Sequence, residues 1–222
     1  MKKRLTFSVL LAILLIVLDQ ILKIWTKTHM YLGEEHAIFG QWFLLHFIEN
    51  EGMAFGMSFG GINGKIFLTL FRLIAAIFIG YAIVKMSKNA VPKRLLIFTV
   101  FVFAGAIGNV IDCFCYGQIF SKSEYFGAIA QLFPESGGYA PILQGKVVDM
   151  IQFDLFTINF SESLPLIGGA AFNFFPAVFN LADTWITIGL FAIILFCYKP
   201  LSQFIVSWEQ KKTKTKTKNT QM

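Results

Sequence analysis

Residues 179–199 read FNLADTWITIGLFAIILFCYK, an apolar run with one carboxylate, Asp183, near its amino-terminal end. About 20 helical residues cross a hydrocarbon core of about 30 Å, so this run has the length of a membrane span. An ionisable group at membrane depth is costly unless it is paired or faces water. We therefore interpret Asp183 as a candidate functional residue at the end of a membrane helix.

The composition of the whole chain indicates an integral membrane protein. Hydrophobic residues make up 56% of the 222 residues and charged residues only 14%, against about a quarter in soluble domains. We predict a membrane all-α fold, a four-transmembrane-helix bundle, in a single domain of residues 1–222 without internal repeats. The predicted helices cover residues 5–25, 64–85, 94–116 and 180–199.

The basic residues predict how the bundle is oriented. Most of the 19 Lys and Arg fall in the amino terminus, between the second and third helices, and in the tail, residues 200–222. By the positive-inside rule both termini are cytoplasmic, and the outer loops, 27–63 and 117–179, lie on the periplasmic side. Attraction to anionic lipid headgroups explains the basic tail, so we expect no nucleic-acid binding. The first apolar run lacks a small-residue cleavage site and is predicted to be a retained helix rather than a signal peptide.

Polar residues interrupt the first and third predicted helices. Asp19 and Lys23 stand one helical turn apart, and we interpret them as a structural ion pair. The third helix ends in GAIGNVIDC, residues 105–113, whose glycines permit close helix approach. Asn109 and Asp112 share one face there, and Asp112 lies level with the other carboxylates.

Asp149 is the second candidate functional carboxylate. It follows Val147 and Val148 in GKVVDMI, residues 145–151, a stretch typical of extended chain that can reach Asp183. Two neighbouring carboxylates hold one proton between them, so one can accept a proton from water while the other polarises a peptide carbonyl. The pair predicts aspartic-protease chemistry, although helix capping is an alternative role for Asp183.

Five sequence blocks carry a family resemblance. They are DQILK at 19–23, NEGMAF at 50–55, AGAIGNVID at 104–112, GKVVDMI at 145–151 and FNLAD at 179–183. With the predicted topology, they make the chain resemble lipoprotein signal peptidase, or signal peptidase II. The resemblance covers nearly the whole chain apart from two loop stretches. It implies a peptidase of the bacterial inner membrane that removes signal peptides from diacylglyceryl-modified prolipoproteins, cutting on the amino side of the lipidated Cys.

The resemblance also implies which residues form the site, near the periplasmic face. The catalytic dyad would be Asp149 and Asp183. The residues that order the dyad and hold the substrate backbone would be Asp19, Lys23, Asn50, Gly52, Gly105, Asn109, Asp112, Asn180 and Ala182. We expect no cofactor and no metal, and a monomer whose partners are the prolipoprotein and membrane lipids.

The chain departs from the family pattern in two ways. Cys113 and Ala104 stand where the family usually has Arg and Gly, and Lys146 and Lys122 are candidate substitutes for the Arg. Two insertions, at 121–142 and 154–175, carry large apolar side chains, which we interpret as an aromatic cover on the membrane around the dyad. The first outer loop contains AIFGQWFLLHF, residues 37–47, which predicts short strands.

Three other functions fit the sequence less well. GMSFG at 56–60 fits the G-x-S-x-G pattern of serine hydrolases with Ser58 as nucleophile, but all three His precede it, outside every membrane helix. A metalloprotease is disfavoured because the chain has no H-E-x-x-H. A transporter could use the four aspartates as a relay, but they cluster near one membrane surface.

Overall fold

The computed structural model describes residues 2–51, 61–89, 91–162 and 169–220. Its main helices are α1 (Lys2–His29), α2 (Gly61–Lys88), α3 (Lys93–Ile111), α5 (Leu181–Phe196) and α6 (Tyr198–Thr220). Among the described residues, three helices are long and apolar enough to cross a membrane. A fourth span exists if α5 and α6, which are bent by 86° against each other, count as one. The predicted helical membrane fold is thus confirmed in its broad form.

The fourth predicted helix, 180–199, differs most from the structure. Helix α5 has 16 residues and rises only about 24 Å. Pro200 has no N–H to bond the carbonyl of residue 196, which favours a break at this point. The predicted basic tail continues as α6, where Phe204 is buried with Leu95 and Leu96 of α3.

The third predicted helix, 94–116, is longer than expected and irregular at its end. After α3, residues Asp112–Tyr116 form a π-helical turn, and the short α4 (Gly117–Ile119) follows it. Such π turns occur mostly as single turns within α-helices and frequently at functional sites. Here the turn carries both Asp112 and the buried side chain of Tyr116.

A four-stranded antiparallel sheet caps the helices. Its strands are β1 (Glu35–Phe39), β2 (Phe43–Asn50), β3 (Val147–Phe153) and β6 (Val178–Phe179), in the order β1-β2-β3-β6. The strands predicted from AIFGQWFLLHF and GKVVDMI are confirmed. The second insertion forms a separate hairpin of β4 (Phe156–Asn159) and β5 (Ala171–Phe174).

Apolar packing joins the sheet to one end of the bundle. Phe47, Val148 and Met150 of the sheet are buried against Met30 at the end of α1 and Tyr116 of the π turn. Burial of such side chains contributes about 1.5–3 kcal/mol each. We call this end of the bundle, where α1 and α3 end and α5 begins, the sheet end.

Candidate active site

Strand β3 brings Asp149 to the sheet end. Asp149 pairs in register with Ile48 of β2, and its side chain is buried. The amide of Asn50 donates to Asp149 Oδ2 at 3.1 Å, and the amide of Asn180 donates to Oδ1 at 2.6 Å. Both carboxylate oxygens therefore have hydrogen-bond donors, as a buried polar group requires.

Asn180 links this strand to the start of α5. It has extended backbone and is the N-cap, so Asn180 Oδ1 accepts a hydrogen bond from the backbone N–H of Asp183 at 2.9 Å. Its Nδ2 reaches Asp149, so one amide side chain contacts both chain segments. Asp183 then lies in the first turn of α5, where the positive end of the helix dipole favours a carboxylate.

Asn109 of α3 contacts Asp183 directly. Asn109 Nδ2 donates to Asp183 Oδ1 at 2.8 Å, and Asn109 Oδ1 accepts from Asn180 Nδ2 at 3.2 Å. The structure therefore brings the two candidate carboxylates together, bridged by two asparagines. Asn180, not Asp183, caps helix α5. The carboxylate of Asp183 is instead hydrogen-bonded to Asn109 of α3.

A buried cluster of charged side chains, Asp19, Lys23 and Asp112, contacts Asn109. Lys23 Nζ lies 3.0 Å from Asp19 Oδ2, 2.8 Å from Asp112 Oδ2 and 2.9 Å from Asn109 Oδ1. The predicted Asp19–Lys23 ion pair is confirmed, and Asp112 is its third member. Because the Lys23 ammonium is a donor only, Asn109 must present its oxygen to Lys23 and its NH₂ group to Asp183.

Asp19 and Asp112 also bind backbone groups of the site elements. Asp19 Oδ1 accepts from the N–H of Ala182 at 2.8 Å, and Asp112 Oδ2 accepts from the N–H of Val148 at 3.3 Å. The first bond satisfies an N–H at the start of α5 that has no partner within the helix. The carboxylates of α1 and of the π turn thus position both α5 and β3.

Two residues of this network were not predicted from the sequence. Gln20 Nε2 donates to Asp112 Oδ1 at 3.0 Å, and Tyr116 donates from its hydroxyl to Gln20 Oε1 at 3.1 Å. Gln20 lies inside the DQILK block, which was a usable signal. Tyr116 reaches the network from the π turn, which the sequence does not reveal. Gly52 lies outside the described residues, as does Ser58.

Glycines allow α3 to approach its neighbours closely at this point. A Cβ atom on Gly105 would lie 2.2 Å from the carbonyl oxygen of Ala182, and one on Gly108 would lie 2.6 Å from Asp19 Oδ2. Real side chains do not tolerate such distances. Gly105 therefore sets the separation of α3 and α5, and with it the distance between Asn109 and Asp183.

We expect Gly105→Ala to destabilise the protein by about 1–3 kcal/mol and to reduce activity, because α5 must move away from α3. Thermal unfolding and the cleavage rate measure the two effects. Gly80→Ala is the matched control, because its Cβ would meet only the side chain of Phe103, at 3.1 Å. Equal effects of both changes would contradict the role of Gly105 in spacing the helices.

Cys113, which stands where the family usually has Arg, has a cationic neighbour from another helix. Arg72 of α2 places Nη1 3.9 Å from Cys113 Sγ. Lys146 instead lies 3.2 Å from Glu51, and with Lys122 it lines a cavity of about 510 Å³. The substitution of the Arg by Lys146 or Lys122 stays a prediction, and Arg72 is a third candidate that the sequence did not indicate.

Burial changes the proton affinity of Asp149. Loss of hydration, followed by repulsion from Asp183, raises the pKa of Asp149 to about 7, although hydrogen bonds from Asn50 and Asn180 oppose the shift. A carboxyl group with this pKa can exchange a proton near neutral pH. Within the described part of the chain, no group of three or more His, Cys, Asp or Glu could hold a metal ion.

Apolar helices beside a pair of carboxylates, of which Asp149 is buried and has a pKa of about 7, define a membrane protein with a site suited to hydrolysis. The chain belongs to the signal peptidase II family, since the family model described as "Signal peptidase (SPase) II" matches residues 11–199. It is accordingly a membrane peptidase.

Individual relatives agree with this assignment. The chain is 47% identical over 189 residues to a lipoprotein signal peptidase of Porphyromonas gingivalis, which covers 85% of this chain and 80% of the relative. It is 34% identical over 202 residues to a lipoprotein signal peptidase of Amoebophilus asiaticus, with 90% and 80% covered. A solved bacterial membrane enzyme matches 89% of this chain and 91% of its own with a TM-score of 0.55 at 23% identity, which shows a shared fold.

Proposed function

We propose that the chain is an aspartic endopeptidase that removes the signal peptide from diacylglyceryl-modified prolipoproteins on the amino side of the lipidated Cys. Membership of the signal peptidase II family supports signal-peptide cleavage. One observation carries the aspartic assignment: Asp149 and Asp183 come from distant segments and meet at Asn109 and Asn180. We assign Asp149 and Asp183 as the catalytic dyad.

The surroundings of the two carboxylates suggest how they divide the proton. The raised pKa of Asp149, about 7, keeps a substantial fraction of this carboxyl protonated near neutral pH. Asp183 stands in the first turn of α5, beside the positive end of the helix dipole, and its Oδ1 accepts a hydrogen bond from Asn109, so we assign Asp183 as the base. Asp183 then takes a proton from the attacking water, while Asp149 donates its proton to the oxygen of the scissile carbonyl.

The supporting residues keep this arrangement fixed before substrate arrives. Lys23 orients Asn109, and Asp19 holds the start of α5 through Ala182. Donors that are placed in advance need no reorganisation during the reaction, which is a large part of enzymatic rate enhancement. Asn50, the last residue of β2, donates to Asp149. We therefore propose that the side-chain amide of Asn50 also forms a hydrogen bond with the substrate backbone.

The location of the site supports a periplasmic reaction in the inner membrane. Lys85 and Lys88 lie in the last turn of α2 and Lys93 begins α3, at the end of the bundle opposite the sheet end. The positive-inside rule assigns that end to the cytoplasm. A lipidated Cys can keep its acyl chains in the bilayer while its peptide bond reaches the sheet end. The four aspartates are gathered there in one network, rather than spread along the bundle as a relay would require.

Cleavage of a defined precursor tests this function. Purified full-length protein in detergent is incubated with a diacylglyceryl-modified prolipoprotein and, as a control, with the same precursor lacking the lipid. We expect the shortened product only from the lipidated precursor. Equal cleavage of both precursors would contradict the lipid requirement, and cleavage of neither would contradict the activity.

The activity should fall as pH rises through the pKa of Asp149. Below a pH of about 7 Asp149 is mainly protonated and can act as the acid, whereas above it Asp149 is mainly ionised and has no proton to donate. We expect kcat/KM to drop about tenfold per pH unit beyond that point, because only the protonated fraction reacts. A pH–rate profile on both sides of neutrality measures this. A rise in activity through the same range would assign Asp149 as the base instead.

A further inference from the structure

The hairpin of β4 and β5 has one face made only of large apolar side chains. Phe156 and Ile158 alternate with Thr157 along β4, so they point to the same side. The register pairs Phe156 with Phe174 and Ile158 with Phe172. The rings of Phe156 and Phe174 stack at 4.8 Å. All four apolar side chains therefore lie together on one surface, which we call the hairpin face.

The opposite side of the hairpin is polar. Thr157 Oγ1 donates to Asn173 Oδ1 at 2.7 Å across the two strands. An isolated two-stranded hairpin is marginal in water unless its apolar face packs on something. Within the described residues that cover is incomplete, since the residues of the hairpin face are between 44% and 51% exposed.

The chain connection keeps the hairpin close to the membrane. Strand β5 ends at Phe174 and helix α5 begins at Leu181, seven residues later. Even a fully extended chain of this length spans only about 25 Å. Helix α5 is strongly apolar, with exposed Leu190, Phe191 and Ile194, so we take its start, at the sheet end, as the point near which the chain enters lipid.

Aromatic rings connect the hairpin to the sheet. Phe175 contacts Phe179 of β6 at 6.0 Å, Phe179 contacts Phe153 of β3 at 5.8 Å, and Phe153 stacks on Trp42 at 6.0 Å. Trp42 is partly exposed in the turn between β1 and β2. Tryptophan and its aromatic neighbours are enriched where membrane proteins meet the bilayer surface. Phe175, the residue directly after the hairpin, thus belongs to a row of rings of the kind found at that boundary.

The charge of the hairpin limits how it can bind to a lipid bilayer. Strands β4 and β5 contain no charged residue, and the flanking Asp154 and Glu162 are acidic. Attraction to anionic headgroups therefore cannot hold the hairpin, whereas insertion of apolar side chains among acyl chains can.

We infer that the hairpin face is inserted into the outer boundary of the lipid bilayer beside the start of α5, and that it anchors the β4–β5 insertion there. The inference depends on the membrane location of the chain and not on the proposed reaction. It refines the predicted aromatic cover of residues 154–175, because it assigns the apolar side chains to lipid.

Spin labels on the two sides of the hairpin test this anchor. Phe172→Cys labels the hairpin face, and Asn173→Cys labels the polar side of the same strand. Both are made in a Cys115→Ser background, because Cys113 and Cys197 are buried. Ile158→Cys on the partner strand is a second variant for the hairpin face. The protein is placed in vesicles of phosphatidylethanolamine and phosphatidylglycerol.

We expect labels at 172 and 158 to collide several-fold more often with lipid-soluble oxygen than with a water-soluble nickel chelate, and the label at 173 to show the reverse. Equal access of the nickel chelate to both sides would overturn the inference, because the hairpin would lie in water. Protection of position 172 from both reagents would also overturn it, since a protein surface would be the cover. Dipolar broadening between labels would identify that surface as a second copy of the chain.

Discussion

Asp149→Asn is expected to lower the rate of prolipoprotein cleavage by about a thousandfold, because an amide can neither supply nor accept the catalytic proton. Asp183→Asn should have an effect of the same size, since each carboxyl depends on the other. The side-chain shapes are kept, so the fold should remain. Cleavage rates on a diacylglyceryl-modified precursor and thermal unfolding, measured in parallel, separate chemistry from folding.

Asp154→Asn is the matched control for this pair of variants. Asp154 directly follows β3, five residues after Asp149, and its side chain is exposed. We expect its activity and its unfolding temperature to remain at the level of the unmodified protein. Full activity of Asp149→Asn or Asp183→Asn would remove the dyad assignment.

The second large effect concerns stability. Lys23→Met is expected to destabilise the protein by about 3–5 kcal/mol, because it leaves the buried carboxylates of Asp19 and Asp112 without their cation. Activity should fall too, since Asn109 loses the contact that fixes the direction of its amide. Thermal unfolding in detergent measures the first effect and the cleavage rate measures the second.

Two further variants make this result specific. Lys88→Met removes an exposed lysine at the end of α2 and should leave stability unchanged. Combining Lys23→Met with Asp112→Asn removes one charge of each sign, so we expect part of the lost stability to return. If the double variant is less stable than Lys23→Met alone, electrostatic balance is not the reason for the cluster.

The sequence was sufficient for features that depend on short patterns. Apolar runs located helices α1, α2, α3 and α5, and two valines before Asp149 indicated its strand. The spacing of Asp19 and Lys23 gave their ion pair because a helix turn brings such residues together. The roles of the site residues remain proposals, but the structure brings together all those it describes.

Other features depend on tertiary contacts that no short pattern reveals. Helix α6 was predicted only as a basic tail, because its lysines obscured the apolar Phe204 and Trp208, which pack with α2 and α3. The π turn that carries Tyr116 follows from local backbone geometry rather than from residue type. Arg72 approaches Cys113 from a helix 41 residues away in sequence, so its relation to the site became visible only in three dimensions.

The bond between Asp19 and Ala182 joins residues 163 positions apart in the chain. During synthesis, α1 enters the bilayer long before α5 has been translated, and it carries its own counter-ion, Lys23, on the next turn. The network around Asp19 is therefore completed only when α5 inserts beside α1.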